Sequence, residues 1–255
     1  MRKISLLLAV AAMAYAPTAF AAGKYNFKQV DGVVELFTSQ GCSSCPPADA
    51  YMGEVKRNNK NNLALTYAVT IWDYLGWKDE FATAKNTNRQ RKYSHYLRLG
   101  NVYTPQSVVN GATDAVGSDR AKIGKNLKKS HLKNKNIYVP MKIEQDDMKL
   151  KIMLPAASAE LLASRKNFDA TLWLVKYKNV AKVSIVAGEN AGRDIEYHNV
   201  VGDFASLGMW EGKPQVFTIA HRDLEGMVGD FKTDKFAFLL QIDGVGPIIS
   251  AMKIN

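Results

Sequence analysis

Two cysteines are the residues of this chain best suited to do chemistry. Cys42 and Cys45 are the only cysteines, and just two residues separate them. Such a pair forms and breaks a disulfide by exchange with another thiol, a reaction that runs through a mixed disulfide. Two other uses of the pair must be weighed first, a structural disulfide and a zinc site.

Neither of these other uses suits the pair well. A disulfide that closes so short a loop stabilises a protein by only about 2 kcal/mol. With 47% hydrophobic residues in 255, the chain can bury a sizeable core without it. A structural zinc site uses four ligands at regular spacing. The four histidines are scattered along the chain, at His95, His131, His198 and His221. The spacing therefore favours a redox pair.

The flanking sequence predicts the elements that position the cysteines. Residues 33–38 are β-branched and aromatic, which is typical of a strand. Apolar residues then recur at helical spacing, at Ala48, Tyr51, Met52 and Val55. The pair thus lies where a strand leads to a helix N-terminus, whose backbone N–H groups and dipole favour a thiolate. We expect Cys42 to be the nucleophile and Cys45 the resolving cysteine.

Two prolines limit this effect. Pro46 and Pro47 lack an N–H group and fit best within the first helical turn. The regular helix then begins at or after Ser44, and Cys42 lies in the loop before it. The helix dipole acts less strongly there than on a cysteine at the cap.

The rest of the first half alternates strands and helices. Residues 63–69 predict a second strand, which makes a parallel β-α-β unit with the first. An aromatic turn at 72–77 and a helix at 79–99 follow. The remaining predicted elements are a strand with an X-Pro step and an Asn-Gly turn at 102–111, a return strand at 112–117, and a helix at 119–130.

This order of elements resembles the thioredoxin superfamily over roughly residues 25–135. The resemblance implies that Pro105 is cis and packs against the cysteine pair, and that Pro105 and its neighbour Thr104 bind the substrate backbone. Thr104 departs from thioredoxin itself and is similar to the residue of some periplasmic disulfide isomerases. The wide gap between the cysteines and Pro105 indicates that the helix at 79–99 is inserted.

Several motifs are similar to one bacterial and plant family, catalogued as domain of unknown function 1223. The motifs are the segments Phe37 to Asp49, Trp72 to Trp77, Val102 to Gln106, Gly188 to Asn190 with Gly192-Arg193, and Tyr197 to Val201. The resemblance covers nearly the whole mature chain. This resemblance implies a fold but no established substrate.

The hydrophobic pattern changes to period two from Ile137 onward. Residues 137–143 and 148–154 predict a hairpin around a polar turn at 145–147. Further strands are predicted at 171–177, 183–186, 195–201, 216–220, 236–242 and 248–254, and one short helix at 157–165. We therefore predict an α/β thioredoxin-like domain with an inserted helix at 22–135, followed by an antiparallel β-sandwich-like domain at 136–255. The sandwich should pack on the first domain through an apolar face.

The N-terminus predicts export. A basic start at Met1-Arg2-Lys3, an apolar run from Ile4 to Met13 and the small-residue site Ala19-Phe20-Ala21 are the three parts of a signal peptide. The run is shorter than the roughly 20 residues of a membrane span. Cleavage near Ala21 would place the mature protein in the periplasm or outside the cell, where disulfides persist.

The formal charge of +10 falls to +8 when residues 1–21 are removed. Nucleic acid is not the expected partner in an exported compartment. A lysine-rich stretch from Lys122 to Lys135 is interpreted as a solvated helix face. Weak contact with an anionic membrane surface is the second interpretation of this face.

Several polar residues are candidates to assist the cysteines. Arg193 and His198 would stabilise a thiolate if they reached the pair, although a local ion pair and a buried strand histidine are the plainer interpretations. Trp72 and Asp73 of the aromatic turn are further auxiliary candidates. Proton relays to Cys45 are sought among Asp73, Asp49, Glu35 and Lys78, each of which is otherwise a surface or capping residue.

These observations predict a thiol–disulfide oxidoreductase that acts on thiol- or disulfide-bearing proteins, together with an unknown redox partner. It would need no metal or other cofactor. The alternative is a non-catalytic thioredoxin-fold binding module or a metallochaperone whose thiolates hold Cu(I). The close cysteine spacing favours the oxidoreductase. Whether it oxidises, reduces or isomerises depends on a potential that ranges from about −270 to −120 mV among related proteins.

Overall fold

The structure is a computed structural model that describes residues 25–130, 132, 136–164, 168–229 and 234–254. The predicted signal peptide at 1–21 lies outside these ranges. Lys133 and Lys135 of the lysine-rich stretch also lie outside these ranges. Lys135 is the last residue of the first predicted domain, so that predicted boundary lies outside them too. Within the described ranges, no helix combines the length and apolar character needed to cross a membrane.

The first half contains five strands and three α-helices. They are β1 (Phe27–Gln29), β2 (Gly32–Thr38), α1 (Pro46–Asn58), β3 (Asn62–Ala68), α2 (Ala84–Tyr96), β4 (Gln106–Val109), β5 (Thr113–Val116) and α3 (Arg120–Lys129). A short 3-10 helix at Thr70–Trp72 follows β3. The predicted β-α-β unit is confirmed, since β2 and β3 pair in parallel on either side of α1 in the chain.

The second half is rich in strands. They are β6 (Lys142–Gln145), β7 (Lys149–Leu154), β8 (Ala170–Ile185), β9 (Arg193–Trp210), β10 (Gln215–Ala220), β11 (Asp234–Ile242) and β12 (Ile248–Ile254). Two helices accompany them, α4 (Ala159–Ala163) and α5 (His221–Val228). The predicted period-two pattern is confirmed, for example by the alternating burial along β7.

One large sheet connects the two halves. Its nine strands run in the order β1-β12-β11-β8-β9-β3-β2-β4-β5. The junction is the parallel contact of β3 with β9, where Thr66 is opposite Val200. Side chains reinforce it, because the Thr66 hydroxyl donates to the His198 carbonyl at 2.8 Å and the Asn199 amide donates to the Ala64 carbonyl at 2.8 Å. The molecule is therefore a mixed α/β protein with a large sheet and few helices.

Helices and a small sheet cover this large sheet. α1 and α3 pack on one face through Met52 and Ile123, against Val34 and Leu36 of β2. α2 packs on the opposite face, where Tyr93 meets Phe37. A three-stranded sheet, β10-β7-β6, shares an apolar cluster with β8, β11 and β12. The alternation of side chains along β2 is what allows both faces to be buried.

The strand partners differ from the expectation for the second half. We expected its strands to form a sandwich of their own, whereas β8, β9, β11 and β12 extend the sheet of the first half. Residues 171–177 and 183–186 were expected as separate strands, but 171–177 and 183–185 belong to the single strand β8, which ends at Ile185. Between them, Lys178 and Val180 are exposed and continue the pairing with β9, opposite Val200 and His198, so this stretch is a solvated ribbon rather than a turn.

Two helix predictions also need correction. The helix expected at 79–99 is shorter, because Asp79 is used in the preceding loop and Thr83 caps α2 by accepting from the Asn86 backbone N–H at 3.1 Å. The described part of the helix expected at 157–165 is limited to α4, which Ser158 caps. α5 and β1 were not predicted at all, since neither shows a long periodic pattern.

Candidate redox site

The two cysteines form a disulfide at the end of the loop between β2 and α1. We call residues 39–45 the cysteine loop. Cys45 is the N-cap of α1, and Pro46 and Pro47 occupy its first turn as predicted. Cys42 is 4% exposed and Cys45 is fully buried, while Ser43 and Ser44 between them are exposed. The exposed side of the pair is therefore the side of the two serines, and Cys42 is the more exposed cysteine.

Hydroxyl groups surround the sulfur of Cys42. The Thr104 hydroxyl donates to Cys42 Sγ at 3.2 Å, and the Trp72 indole N–H donates to the same hydroxyl at 2.6 Å. The Ser44 hydroxyl lies 3.5 Å from the sulfur. Because the indole is a donor only, it leaves the Thr104 proton to point at the sulfur. Trp72, a predicted auxiliary residue, and Thr104, a predicted substrate-binding residue, thus form one chain of hydrogen bonds that ends on Cys42.

The turn that carries Thr104 packs against α1. The Thr104–Pro105 peptide bond is cis, as expected. Pro105 is buried, and its carbonyl accepts from the Gly117 N–H at 2.9 Å. A Cβ atom on Gly117 would lie 2.9 Å from Pro105 and 3.0 Å from Ala48, so only glycine allows this approach. The proline turn is thereby fixed beside the first turn of α1, and Thr104 makes its contact with the disulfide.

The connection between β8 and β9 reaches the cysteine loop from the second half. We call residues 186–192 the hairpin tip. Its Asn190 amide donates to the carbonyls of Gln40 at 2.8 Å and Cys42 at 2.9 Å. Its Glu189 carboxylate accepts from the Ser43 N–H at 3.2 Å. The cysteine loop is thus bound on both sides of Cys42 by residues almost 150 positions away in the chain.

A buried carboxyl group lies one helical turn beyond Cys45. The Asp49 N–H donates to the Cys45 carbonyl at 3.1 Å, and residues at this spacing share a helix face. Asp49 is 1% exposed. Burial raises the pKa of Asp49 to about 8, the Thr38 hydroxyl opposes the shift, and the Asp79 carboxylate adds to it. This carboxyl group can therefore gain or lose a proton near neutral pH beside Cys45.

Asp79 is a second buried acid at this site. Its carboxylate accepts from the backbone N–H groups of Gln40 and Phe81, each at 2.8 Å. Burial raises the pKa of Asp79 to about 6, and these two hydrogen bonds lower it in part. Burial also raises the pKa of Tyr197, to which the charges of Asp49 and Asp79 contribute. The acids and the tyrosine thus form one electrostatically coupled group under the cysteine loop.

The two predicted cations lie to the side of the cysteines. His198 is packed on Gly53 in the third turn of α1, where a Cβ atom would come within 2.4 Å of its imidazole, and it pairs with Glu196 at 3.2 Å. Burial lowers the pKa of His198, and the Lys56 charge acts in the same direction. Arg193 is exposed and lines a cleft with Pro46 and His198. In the described part of the chain, neither residue hydrogen-bonds to a cysteine sulfur, and both line this cleft instead.

Three of the four residues proposed as proton relays do not share a helix face with Cys45. Glu35 is buried in β2 and pairs with Arg89 at 2.8 Å, on the face covered by α2. Asp73 accepts from the Asp79 N–H at 3.3 Å and shapes the turn after the 3-10 helix. Lys78 is exposed. Only Asp49 lies on the same helix face as Cys45.

Sequence reasoning did not single out the remaining contacts of the cysteine loop. Asp79 was expected to begin a helix, and Gln40, which accepts from the Trp77 indole at 2.7 Å, was not considered. Glu189 and Asn190 were noted only as part of a family-like motif. That motif was the sequence signal that could have identified both residues. Its Gly-Glu-Asn segment places polar side chains at a hairpin tip, where they have no obvious partner nearby in the chain. Among the described residues, no group of three or more His, Cys, Asp or Glu side chains is arranged to hold a metal ion.

Comparison with known families identifies the chain. The model of the family described as "Protein of unknown function (DUF1223)" matches residues 33–241, which is most of the chain, so the protein belongs to this family. No curated protein matches it significantly.

Two solved structures are similar to this fold. The crystal structure of protein AGR_C_4864 from Agrobacterium tumefaciens is 29% identical, with a TM-score of 0.72 over 89% of this chain and 95% of that one. HBP35 of Porphyromonas gingivalis is 14% identical, with a TM-score of 0.50 over 90% of this chain and 76% of that one. The first likeness extends over both halves of the molecule, and the second bears on the fold alone.

Proposed function

We propose that this member of the DUF1223 family is an exported thiol–disulfide oxidoreductase that acts on proteins through Cys42 and Cys45. The observation that carries the proposal is the hydrogen bond from Thr104 to Cys42 Sγ, oriented by the Trp72 indole. Hydrogen bonds to the charged form of a group favour that form. This arrangement would stabilise a Cys42 thiolate, which is the species that attacks disulfides.

The connectivity around the site supports a thioredoxin-like domain. The elements β2-α1-β3-α2-β4-β5-α3 follow the order predicted from the sequence, with the strands arranged β3-β2-β4-β5. β4 is antiparallel to β2, and the cis proline lies just before β4, next to the cysteine loop. α1 and α3 cover one face and α2 the other. The helix between β3 and β4 occupies the place where an inserted helix was expected.

The proposed reaction transfers two electrons between the pair and a protein partner. In the reducing direction, the Cys42 thiolate attacks a substrate disulfide and forms a mixed disulfide, and one substrate sulfur leaves as a thiolate. Cys45 then loses its proton and attacks Cys42, which forms the Cys42–Cys45 disulfide and releases the second substrate thiolate. The reverse sequence oxidises a substrate dithiol. Both directions use the same atoms, so the potential decides which one predominates.

Asp49 is well placed to handle the proton of Cys45. Cys45 is fully buried, so its thiol proton cannot pass directly to bulk water. A carboxyl group whose pKa is about 8 is a base matched to a thiol of pKa about 8.5. We assign to Asp49 the uptake of this proton when Cys45 attacks, and its return when the disulfide is reduced. Its position one turn beyond Cys45 is the basis for this role.

Trapping of substrates by cysteine variants tests the proposal. Cys45→Ala should accumulate mixed disulfides with exported proteins on Cys42, because no sulfur remains to resolve them. Cys42→Ala is the matched control and should capture nothing, since Cys45 is buried. Mass spectrometry of the trapped complexes identifies both the partner and the sulfur that holds it.

Three results would contradict the proposal. Equal capture by both variants would overturn the assignment of Cys42 as the nucleophile. Absence of adducts in both, combined with no exchange between the reduced wild-type protein and oxidised glutathione, would exclude oxidoreductase activity. Stoichiometric binding of Cu(I) by the wild type in that case would favour the metallochaperone.

A further inference from the structure

We infer that Glu189 at the hairpin tip restrains the acidity of Cys42 and thereby keeps the cysteine pair more reducing than the cysteine loop would be alone. This inference rests on the proposed function and adds a regulator from the second half of the chain. It begins with the Ser43 N–H group, which follows Cys42 directly and donates to Glu189 Oε2 at 3.2 Å.

A carboxylate at this place opposes a thiolate in two ways. Its negative charge lies against the residue next to Cys42, and a like charge disfavours ionisation. It also occupies a backbone N–H group that would otherwise contribute positive potential at the end of the loop. Thr104 acts in the opposite direction, because its hydroxyl donates to the sulfur. The acidity of Cys42 is thus set by a balance between the proline turn and the hairpin tip.

The hairpin tip holds Glu189 in place. Gly188 and Gly192 both have positive φ, of 74° and 79°, which shapes the tight connection. A Cβ atom on Gly188 would lie 3.0 Å from Cβ of Trp77, so the tip is packed on the aromatic turn. Asn190 then anchors the tip to the Gln40 and Cys42 carbonyls. Glu189 is exposed to solvent, but the anchored tip holds its carboxylate against the Ser43 N–H of the cysteine loop.

Other charges surround the loop without sharing this contact. They are Asp49 and Asp79 below it, Asp73 on the aromatic turn, Lys78 just after that turn, and Arg193 beside the hairpin tip. Asp79 bonds to the loop at Gln40, two residues before Cys42. Of the charged side chains with a described hydrogen bond to the loop, only Glu189 reaches a residue adjacent to Cys42.

Stabilising the thiolate stabilises the reduced form of a dithiol pair, which makes the pair more oxidising. A carboxylate that destabilises the thiolate has the opposite effect. With oxidised glutathione, the pair gives up two electrons: Cys42 and Cys45 become the disulfide, and two glutathione thiols are released. Removing the charge of Glu189 should therefore make this oxidation less favourable.

The test compares Glu189→Gln with Glu189→Ala. Gln still accepts a hydrogen bond from Ser43 but carries no charge, whereas Ala removes both. The pKa of Cys42 is measured in each variant, on a Cys45→Ala background, from the pH dependence of alkylation by iodoacetamide. We expect it to fall by about half a unit or more in Glu189→Gln and at least as far in Glu189→Ala. In proteins with both cysteines, the equilibrium constant for oxidation by glutathione should fall about threefold or more.

Two controls isolate the local charge. Glu211→Gln removes an exposed carboxylate just beyond the far end of β9 and should leave the pKa of Cys42 unchanged. Thr104→Val should raise that pKa, which shows that the measurement responds to the groups around the sulfur. The effect of Glu189→Gln should also shrink at 1 M salt, because exposed charges are screened there.

Unchanged pKa values in both Glu189 variants would overturn the inference, and so would an equal shift in Glu211→Gln. This outcome is separate from failure of the proposed function. If the wild type showed no exchange with glutathione while Glu189→Gln still shifted the pKa of Cys42, the local effect would stand and the oxidoreductase would not.

Discussion

Two carboxyl groups are buried on opposite faces of the large sheet, and their surroundings differ sharply. Glu35 of β2 is fully buried beside α2, where it pairs with Arg89 at 2.8 Å and accepts from the Tyr93 hydroxyl. Gln241 completes this cluster by accepting from Arg89 at 2.9 Å. Asp49 of α1 is equally buried but has no cation beside it among the groups that set its pKa.

This difference distinguishes a buried ion pair that stabilises the fold from a buried acid that can gain or lose a proton. Burial by itself would favour neutral Arg89, but the Glu35 carboxylate holds the pKa of Arg89 above its ordinary value. The Arg89 guanidinium therefore stays charged beside the Glu35 carboxylate. Asp49 has a raised pKa instead and can exchange a proton in the working range of a thiol. A buried acid without a cation, next to a cysteine, is thus the better candidate for chemistry.

The largest effect should follow from breaking the compensated pair. Arg89→Met leaves Glu35 charged and buried without its cation, which should lower the free energy of unfolding by about 3–5 kcal/mol. Urea denaturation at pH 7 measures the change. The double variant Glu35→Leu with Arg89→Met removes both charges and should recover much of the loss. Equal destabilisation by the single and double variants would contradict the interpretation as a paired charge.

Replacing Asp49 should change the free energy of unfolding by an intermediate amount and in the opposite direction, because it should stabilise the protein. The pKa of Asp49 is about 8 in the folded protein against 3.8 for a solvent-exposed aspartate, so the unfolded chain releases this proton first as the pH rises. Stability present below about pH 4 is therefore lost progressively up to about pH 8. Asp49→Asn should remove this slope and stabilise the oxidised protein at pH 7 by on the order of 2–4 kcal/mol.

The pH series for Asp49→Asn contains its own control. Below pH 4 the carboxyl group is protonated in both states, so variant and wild type should unfold with similar free energies. A constant difference at all pH values would show a packing effect of the amide instead. The same variant should slow resolution by Cys45, as measured by the lifetime of a mixed disulfide on Cys42.

The smallest effect is expected for an exposed ion pair. Lys85 and Asp203 lie 2.6 Å apart, with half or more of each side chain exposed. Asp203→Asn should change the free energy of unfolding by no more than about 1 kcal/mol, and less in high salt. A loss comparable to that of Arg89→Met would show that solvent exposure does not distinguish the energetics of the two ion pairs.

Much of the local structure of the site was predictable. The cysteine spacing, the strand before it and the two prolines after it identified the loop and the start of α1. The Thr-Pro step and its cis bond followed from a family resemblance, and both agree with the structure. These features depend on residues close together in the chain, where propensity and turn chemistry act directly.

The partners of the site were not predictable in the same way. Asp49 was one of four acids and bases of equal standing until burial and helix position distinguished it. Glu189 and Asn190 are almost 150 residues from the cysteines, and only the pairing of β8 with β9 brings them to the loop. Period-two alternation predicts that a strand has two faces, but it does not name the neighbouring strand.

By itself, the amino-acid sequence determined the cysteine pair of this protein, the loop that carries it and the alternation that buries both faces of β2. The tertiary structure decided that β9 joins β3, that a hairpin tip contacts the cysteine loop, and which buried acid has a cation beside it. The physical reason is the distance along the chain over which each kind of interaction acts. Backbone preferences and side-chain periodicity act over a few residues, whereas burial and Coulomb interactions depend on which distant segments share the same space.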